Sequence, residues 1–223
     1  MEIKPIAYIH TDFSEKFGIP RQSGRVPELC GKVVFTSEFN NLEVIRGLEE
    51  FSHIWLIFGF NKAEYKDGTM TVRPPRLGGN VRVGVFASRS PYRPNTLGLS
   101  CVKIEKIEQG TIEVSGVDIL DGTPIYDIKP YIPYSDCVVG ASGSFAEENK
   151  NHFLQVDFPG ELLEIIPSEK RQALIACLAD DPRPSYQDDK RIYSMAYAEF
   201  DIHFTVVNKK ITVISVDKKS CNS

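Results

Sequence analysis

The sequence predicts a mainly β protein with a smaller α+β unit at its C-terminal end. Three observations carry this. Short runs rich in Val, Ile, Phe and Thr, separated by Gly- and Pro-bearing turns, fill the first two-thirds of the 223 residues and suggest a barrel or sandwich. After about Cys137 the chain changes to a polar stretch followed by strand, helix and two strands. No internal repeat and no GxGxxG, P-loop or GxSxG fingerprint is present, which argues against ordinary dinucleotide binding.

The expected strands are 3–9, 32–35, 53–60, 81–86, 97–107 and 111–119, each dense in β-branched or aromatic residues. Val102, Ile104 and Ile107 alternate in part with Lys103, Glu105 and Lys106, so that strand should keep one wet face. One helix is expected between them. Asn40-Asn41 offers an N-cap, and Leu42, Val44, Ile45, Leu48 and Phe51 recur at helical spacing. Residues 141–151 are small and polar, a linker. Beyond them the pattern predicts a strand over 153–158, a helix over 168–178, and strands over 193–207 and 210–216 that meet at a turn near Asn208-Lys209. Glu169 in the first turn suits the helix dipole. The expected units are 1–140 and 141–223.

With 42% hydrophobic residues the chain can bury a substantial core. The opening segment is broken by Lys4 and Pro5 before any apolar run, so no export signal is expected. The longest apolar run, 54–60, is too short to span a bilayer. The five cysteines (Cys30, Cys101, Cys137, Cys177, Cys221) are widely spaced, as expected for reduced thiols in a cytoplasmic protein. Neither they nor the four histidines (His10, His53, His152, His203) show metal-ligand spacing, so no metal is expected.

Charge is unevenly placed. The formal net charge is −4, yet residues 68–104 hold Arg73, Arg76, Arg82, Arg89, Arg93 and Lys103 with no acid. That stretch carries +6 and leaves −10 on the other 186 residues. A basic band in an acidic chain points to a local anion site. Its Gly and Pro residues hold a defined, non-repetitive backbone, suited to presenting guanidinium forks to phosphate, carboxylate or a base.

Three other clusters stand out. In the loop Pro20-Arg21-Gln22, Arg21 and Gln22 can donate to a carboxylate or ribose, although a plain surface turn explains the same residues. Asp121-Gly122 reads as a hairpin turn, but the turn alone leaves Asp118, Asp127, Lys129 and Tyr131 around it unexplained. Asp181-Pro182-Arg183-Pro184-Ser185-Tyr186 follows the C-terminal helix, where proline is an ordinary stop, yet it also sets Asp, Arg and Tyr on a stiff frame.

Together with Gly47-Leu48, Phe51 to Trp55, Arg73 to Asn80, Gly84 to Ser90, Arg93-Pro94-Asn95 and Asp127 to Tyr131, these clusters follow in an order that resembles the TrmO (TsaA-like) tRNA methyltransferases across nearly the whole chain. The resemblance implies a β-barrel that binds S-adenosylmethionine, a smaller C-terminal domain that assists tRNA recognition, and a homodimer. It implies methylation of N6 of N6-threonylcarbamoyladenosine at position 37 of the tRNA anticodon loop. Pro20, Arg21, Gln22, Arg89, Leu99, Leu120, Asp121, Gly122 and Thr123 match cofactor positions. Asn61 and Lys62 align with a cofactor-contacting pair that can be His-Gln in relatives.

Methyl transfer is an in-line displacement in which alignment can supply roughly 7–11 kcal/mol. Asp127 and Asp181 are the candidates to accept an N6 hydrogen bond. Arg76, Arg93, Lys129, Tyr131, Arg183 and Tyr186 are candidates to hold the substrate: arginines for the threonylcarbamoyl carboxylate, tyrosines for stacking. Two alternatives stay open, a sensor that binds S-adenosylmethionine without transfer and a methyltransferase of small metabolites.

Overall fold

The computed structural model describes residues 2–64, 68, 70–74, 81–148, 152–183 and 191–219. Six strands form the first unit: β1 (Ala7–Thr11), β2 (Cys30–Phe35), β3 (His53–Gly59), β6 (Leu97–Glu108), β7 (Thr111–Ser115) and β8 (Thr123–Pro130). They close into an antiparallel barrel in the order β1-β2-β7-β6-β3-β8. The two-residue strands β4 (Thr71–Val72) and β5 (Val83–Gly84) pair as a separate ribbon.

Period-2 alternation sets the inside of the barrel. Ile54, Leu56 and Phe58 of β3 are buried, while His53, Trp55 and Ile57 between them are half-buried. Ile9, Val33, Val102, Ile112, Val114 and Ile125 complete the filling. The same alternation buries Gly98 and Ser100 of β6.

The second unit is a sheet in the order β10 (Tyr193–Tyr197), β11 (Phe200–Val207), β12 (Lys210–Lys218), β9 (Gln155–Asp157), with β9 parallel to β12. The short helices α1 (Pro133–Asp136), α2 (Phe145–Glu148) and α3 (Gly160–Leu163) precede α4 (Ser168–Ala179), which buries Ala173, Leu174, Cys177 and Leu178 in the core. Burial pushes the Cys177 thiol well above its ordinary range. Phe17, from the β1–β2 connection, stacks on Tyr193 and Phe204, and Phe13 meets Tyr197 edge-on. The long first connection therefore lies against the second sheet.

Several elements differ from expectation. Instead of a helix over 42–51 there are two 3-10 turns, Leu42–Ile45 and Leu48–Glu50. Asn41 does cap, its side chain accepting from the Glu43 amide, but Gly47 takes φ 83 and ends the run. Leu42 and Val44 are exposed, so their spacing marked no buried face. The expected strand 81–86 shrinks to Val83–Gly84 and turns at Val85–Ala87, leaving Phe86 exposed. The strand expected over 3–9 begins only at Ala7, beyond Pro5, which has no N–H for a ladder. The strand expected over 111–119 stops at Ser115. The expected strand 193–207 is two strands, turning at Ala198 with φ 49. The turn at Asn208-Lys209 is present, with φ 50 and 61, values of a twisted hairpin. Thr123–Pro130, read from sequence as a ligand-bearing turn region, is the strand that closes the barrel.

Candidate active-site cleft at the barrel mouth

Three long connections leave the same end of the barrel: residues 12–29, 60–96 and 116–122. Between them lies a cleft of two adjoining lobes, about 450 and 700 Å3, within the range of small-ligand sites. Phe58, Phe60, Pro20, Arg21, Pro91 and Asp118 line both lobes. Phe17, Ile19 and Leu120 add apolar wall to the first, and Pro182 reaches it from the second unit. Arg89, Arg93, Leu97 and Leu99 line the second.

The backbone at the barrel end is fixed tightly. The amides of Asp121 and Gly122 donate to the carbonyls of Phe13 and Ile9 at 2.8 and 2.9 Å. Gly122 sits at φ 70, which a side chain rarely tolerates. Gly98 leaves room for the Phe58 ring, because a Cβ there would overlap it.

Five cationic side chains, Lys16, Arg21, Lys62, Arg89 and Arg93, line the cleft. Arg89 Nη1 donates to Gln22 Oε1 at 2.5 Å, Arg93 Nη1 to the Ser88 carbonyl at 3.2 Å, and Lys62 Nζ to the Ser14 carbonyl at 2.9 Å. Asn61 Nδ2 donates to the Gly122 carbonyl at 3.4 Å. Among the described residues Asp118 is the one acid in the lining of either lobe. Ser100 Oγ donates to its Oδ1 at 2.5 Å. Burial lifts the Asp118 carboxyl to about 6, while the bonds from Ser100 and from the amides of Asp118 and Ser23, and the charge of Arg89, pull the other way.

The structure thus gathers Pro20, Arg21, Gln22, Asn61, Lys62, Arg89, Leu99, Leu120 and Thr123 around one cleft, with Arg93 beside them. Other expected residues lie elsewhere. Asp121 accepts from His10 Nδ1 and from the Thr11 amide, both at 3.1 Å, and lines neither lobe. Asp127 pairs with Lys129 at 2.9 Å on β8 and lines neither lobe. Tyr131 packs against Trp55 and His53. Asp181 is 8% exposed and receives Arg183 Nε and Nη2 at 2.9 and 3.1 Å, with His152 Nε2 at 3.4 Å. Arg76 and Tyr186 lie outside the described residues. Sequence reasoning left Asp118 as an unexplained carboxylate near the Asp121-Gly122 turn and assigned no role to Ser100, Phe58 or Phe60. The local signal for Asp118 was a carboxylate between Val117 and Ile119; Ser100 was one hydroxyl in an apolar strand.

Among the described residues no group of three His, Cys, Asp or Glu is placed to hold a metal, and no helix is long and apolar enough to cross a membrane. Fold and cleft together define a small-molecule-binding barrel with a basic rim, distinct from a doubly wound nucleotide-binding sheet.

Comparison with known proteins gives the family. The model of the tRNA-methyltransferase O N-terminal domain matches residues 8–137, and that of the TrmO C-terminal domain matches 151–219. The chain belongs to the TrmO family. It is 33% identical to the tRNA (adenine(37)-N6)-methyltransferase of Escherichia coli over 98% of both chains. It is 40% identical, over 91% of both chains, to RcsF of Pseudomonas aeruginosa, named as a candidate S-adenosylmethionine-dependent methyltransferase. The crystal structure of TrmO from Pseudomonas aeruginosa superposes with a TM-score of 0.81 at 32% identity, covering 98% of this chain and 97% of that one.

Proposed function

We propose that this protein is an S-adenosylmethionine-dependent tRNA methyltransferase acting on N6 of N6-threonylcarbamoyladenosine at position 37 of the anticodon loop. The observation that carries this reading is the two-lobed basic cleft at the mouth of a TrmO-family barrel. The end-to-end relation to the Escherichia coli enzyme supports the tRNA substrate. The names of relatives that refer to S-adenosylmethionine support the cofactor.

The residues present fit that cofactor. Phe58, Phe60, Ile19 and Leu120 offer apolar faces for an adenine. Arg21 and Arg89 offer forks for a methionine carboxylate, and Gln22 an amide for polar edges. Leu99 and Thr123 close the walls; Asn61 and Lys62 hold the rim, with Asp121 and Gly122 shaping the turn behind it. When bound, S-adenosylmethionine supplies a methyl group on a positively charged sulfur. The chain's task is alignment: hold the methyl in line with N6, exclude water and bind the substrate's charge. Arg93 and Arg76 of the basic band are proposed as partners of the threonylcarbamoyl carboxylate. Lys129, Tyr131 and Tyr186 are proposed to serve the tRNA beyond the cleft; Arg183, buried against Asp181, is proposed instead to hold the turn after α4 in place.

The boundary near residue 140 is proposed as functional: the barrel carries the chemistry and 141–223 assists tRNA recognition. Homodimerisation and a cytoplasmic location complete the reading; exposed Tyr134, Val138 and Val139 offer apolar surface for a second copy. Mass spectrometry of nucleosides tests the reaction. tRNA carrying threonylcarbamoyladenosine should gain one methyl group on N6 when incubated with protein and S-adenosylmethionine, and an unchanged nucleoside refutes the reading.

A further inference from the structure

Methylation of this N6 leaves a proton to be removed, and the cleft identifies a group to take it. The two carboxylates expected from sequence are otherwise engaged: Asp127 pairs with Lys129, and Asp181 is forked by Arg183. Neither lines either lobe. Asp118 lines both, at the junction between them. Among the described residues it is the one acid in the lining of either lobe, so it faces the space where a bound cofactor and an incoming base would meet. We propose that Asp118 is the proton acceptor of the methyl-transfer reaction, with Ser100 as its positioning residue. The inference rests on the function proposed above.

The surroundings of Asp118 suit the role. Ser100, on the inward face of β6, is 1% exposed and donates from the barrel interior. Ser23 approaches from the first connection: its amide donates to the carboxylate, and its Oγ accepts from the Cys101 amide at 3.2 Å. The charge of Arg89 also acts on Asp118, while Arg21, Arg93, Lys16 and Lys62 share the cleft. The carboxylate is therefore held by the Ser100 hydroxyl and the Ser23 amide while it lines the cleft. Burial raises its proton affinity, so it titrates at about 6, close enough to neutrality for a base.

The step balances. The N6 lone pair forms the bond to the methyl carbon, the carbon–sulfur bond breaks with its electrons passing to sulfur, and the N6 proton moves to Asp118. The protonated carboxyl then returns its proton to water. A urea-like N6 is a weak nucleophile, so withdrawing that proton as the bond forms is worth on the order of 100-fold or more in rate.

The test uses the full chain and compares native protein, Asp118→Asn and Ser100→Ala. Single-turnover transfer to tRNA carrying threonylcarbamoyladenosine is measured from pH 5 to 8.5, with calorimetric cofactor affinity alongside. Native transfer should rise with pH through an apparent value near 6 and level off. Asp118→Asn should lose roughly 100-fold or more and the pH-dependent limb, while cofactor affinity stays within about threefold. Ser100→Ala removes a donor that favours the carboxylate, so its limb should move to higher pH. In the free protein, carbon NMR of labelled aspartate should show a carboxyl titrating near 6 that is missing in Asp118→Asn. Three results overturn the proposal: an active Asp118→Asn that keeps its limb, a loss explained wholly by weaker cofactor binding, or an Asp118 carboxyl titrating as an ordinary aspartate. If Asp118→Asn does not fold, an unmoved limb in Ser100→Ala overturns it. If native protein transfers no methyl to tRNA, the proposed function falls and takes this role with it; if native protein is active and Asp118→Asn matches it, only the role falls.

Discussion

Arg21 donates from Nη2 to the backbone carbonyl of Arg183 at 2.9 Å, joining the Pro20–Gln22 loop to the turn that follows α4. The Arg183 guanidinium in turn grips Asp181, and both are 8% exposed. Asp181 therefore holds the turn against which Arg21 is seated.

Removing Asp181 takes the paired carboxylate from a buried guanidinium, leaving Arg183 only partly compensated by Tyr193. Asp181→Ala should destabilise the protein by about 3 kcal/mol, read as a lower urea midpoint. Because Arg21 is tied to the same turn, cofactor affinity should fall with it. Unchanged stability with a selective loss of turnover would return Asp181 to a direct part in the chemistry.

Arg89 bridges to Gln22 across the second lobe. A charge-assisted bond from Arg89 to a bound carboxylate is worth about 1.5–3 kcal/mol. Arg89→Ala should therefore weaken S-adenosylmethionine binding by about tenfold or more in calorimetry. An unaltered dissociation constant would take Arg89 out of the cofactor site.

Gly98 gives the Phe58 ring its place at the cleft. Gly98→Ala forces that ring to move, at a cost of about 1–3 kcal/mol from overpacking. Lower thermal stability together with weaker cofactor binding is expected. A variant with native melting and affinity would show that the ring yields without disturbing the site.

Asp118 gives a pH-dependent stability with a definite sign. Its carboxyl is raised from the ordinary 3.8 to about 6 in the folded protein, so folding favours the protonated form. The associated stability is fully present below pH 4 and is lost as pH rises through 6. The difference corresponds to about 3 kcal/mol. Asp118→Asn, neutral at every pH, should thus melt higher than native protein at pH 8 and lose that advantage near pH 4. Equal melting curves at both pH values would contradict the burial assigned to Asp118.

The barrel was largely legible in the sequence because runs rich in β-branched and aromatic residues, such as 53–60 and 97–107, stand between turn-forming stretches. The strand at 123–130 was hidden because Pro124, Asp127, Lys129 and Pro130 read as loop chemistry, and only its pairing with β1 and β3 makes it a strand. The 42–51 region misled for the opposite reason: helical spacing was present, but Gly47 and the exposure of Leu42 and Val44 deny it a buried face. Cofactor candidates such as Arg21, Gln22 and Arg89 were readable as rigid, arginine-bearing loops. Ser100 was not, and Asp118 stood out only as an unexplained carboxylate, since their meaning lies in a contact between a strand and a connection 18 residues apart. Asp181 looked available in sequence because nothing there reveals that Arg183 folds back onto it.

The central claim is methyl transfer to a modified adenosine. The most direct measurement gives the protein methyl-labelled S-adenosylmethionine and two tRNA pools, one carrying threonylcarbamoyladenosine and one lacking it. Label confined to the modified pool is the predicted result. Bound cofactor with no label in either pool would contradict the account.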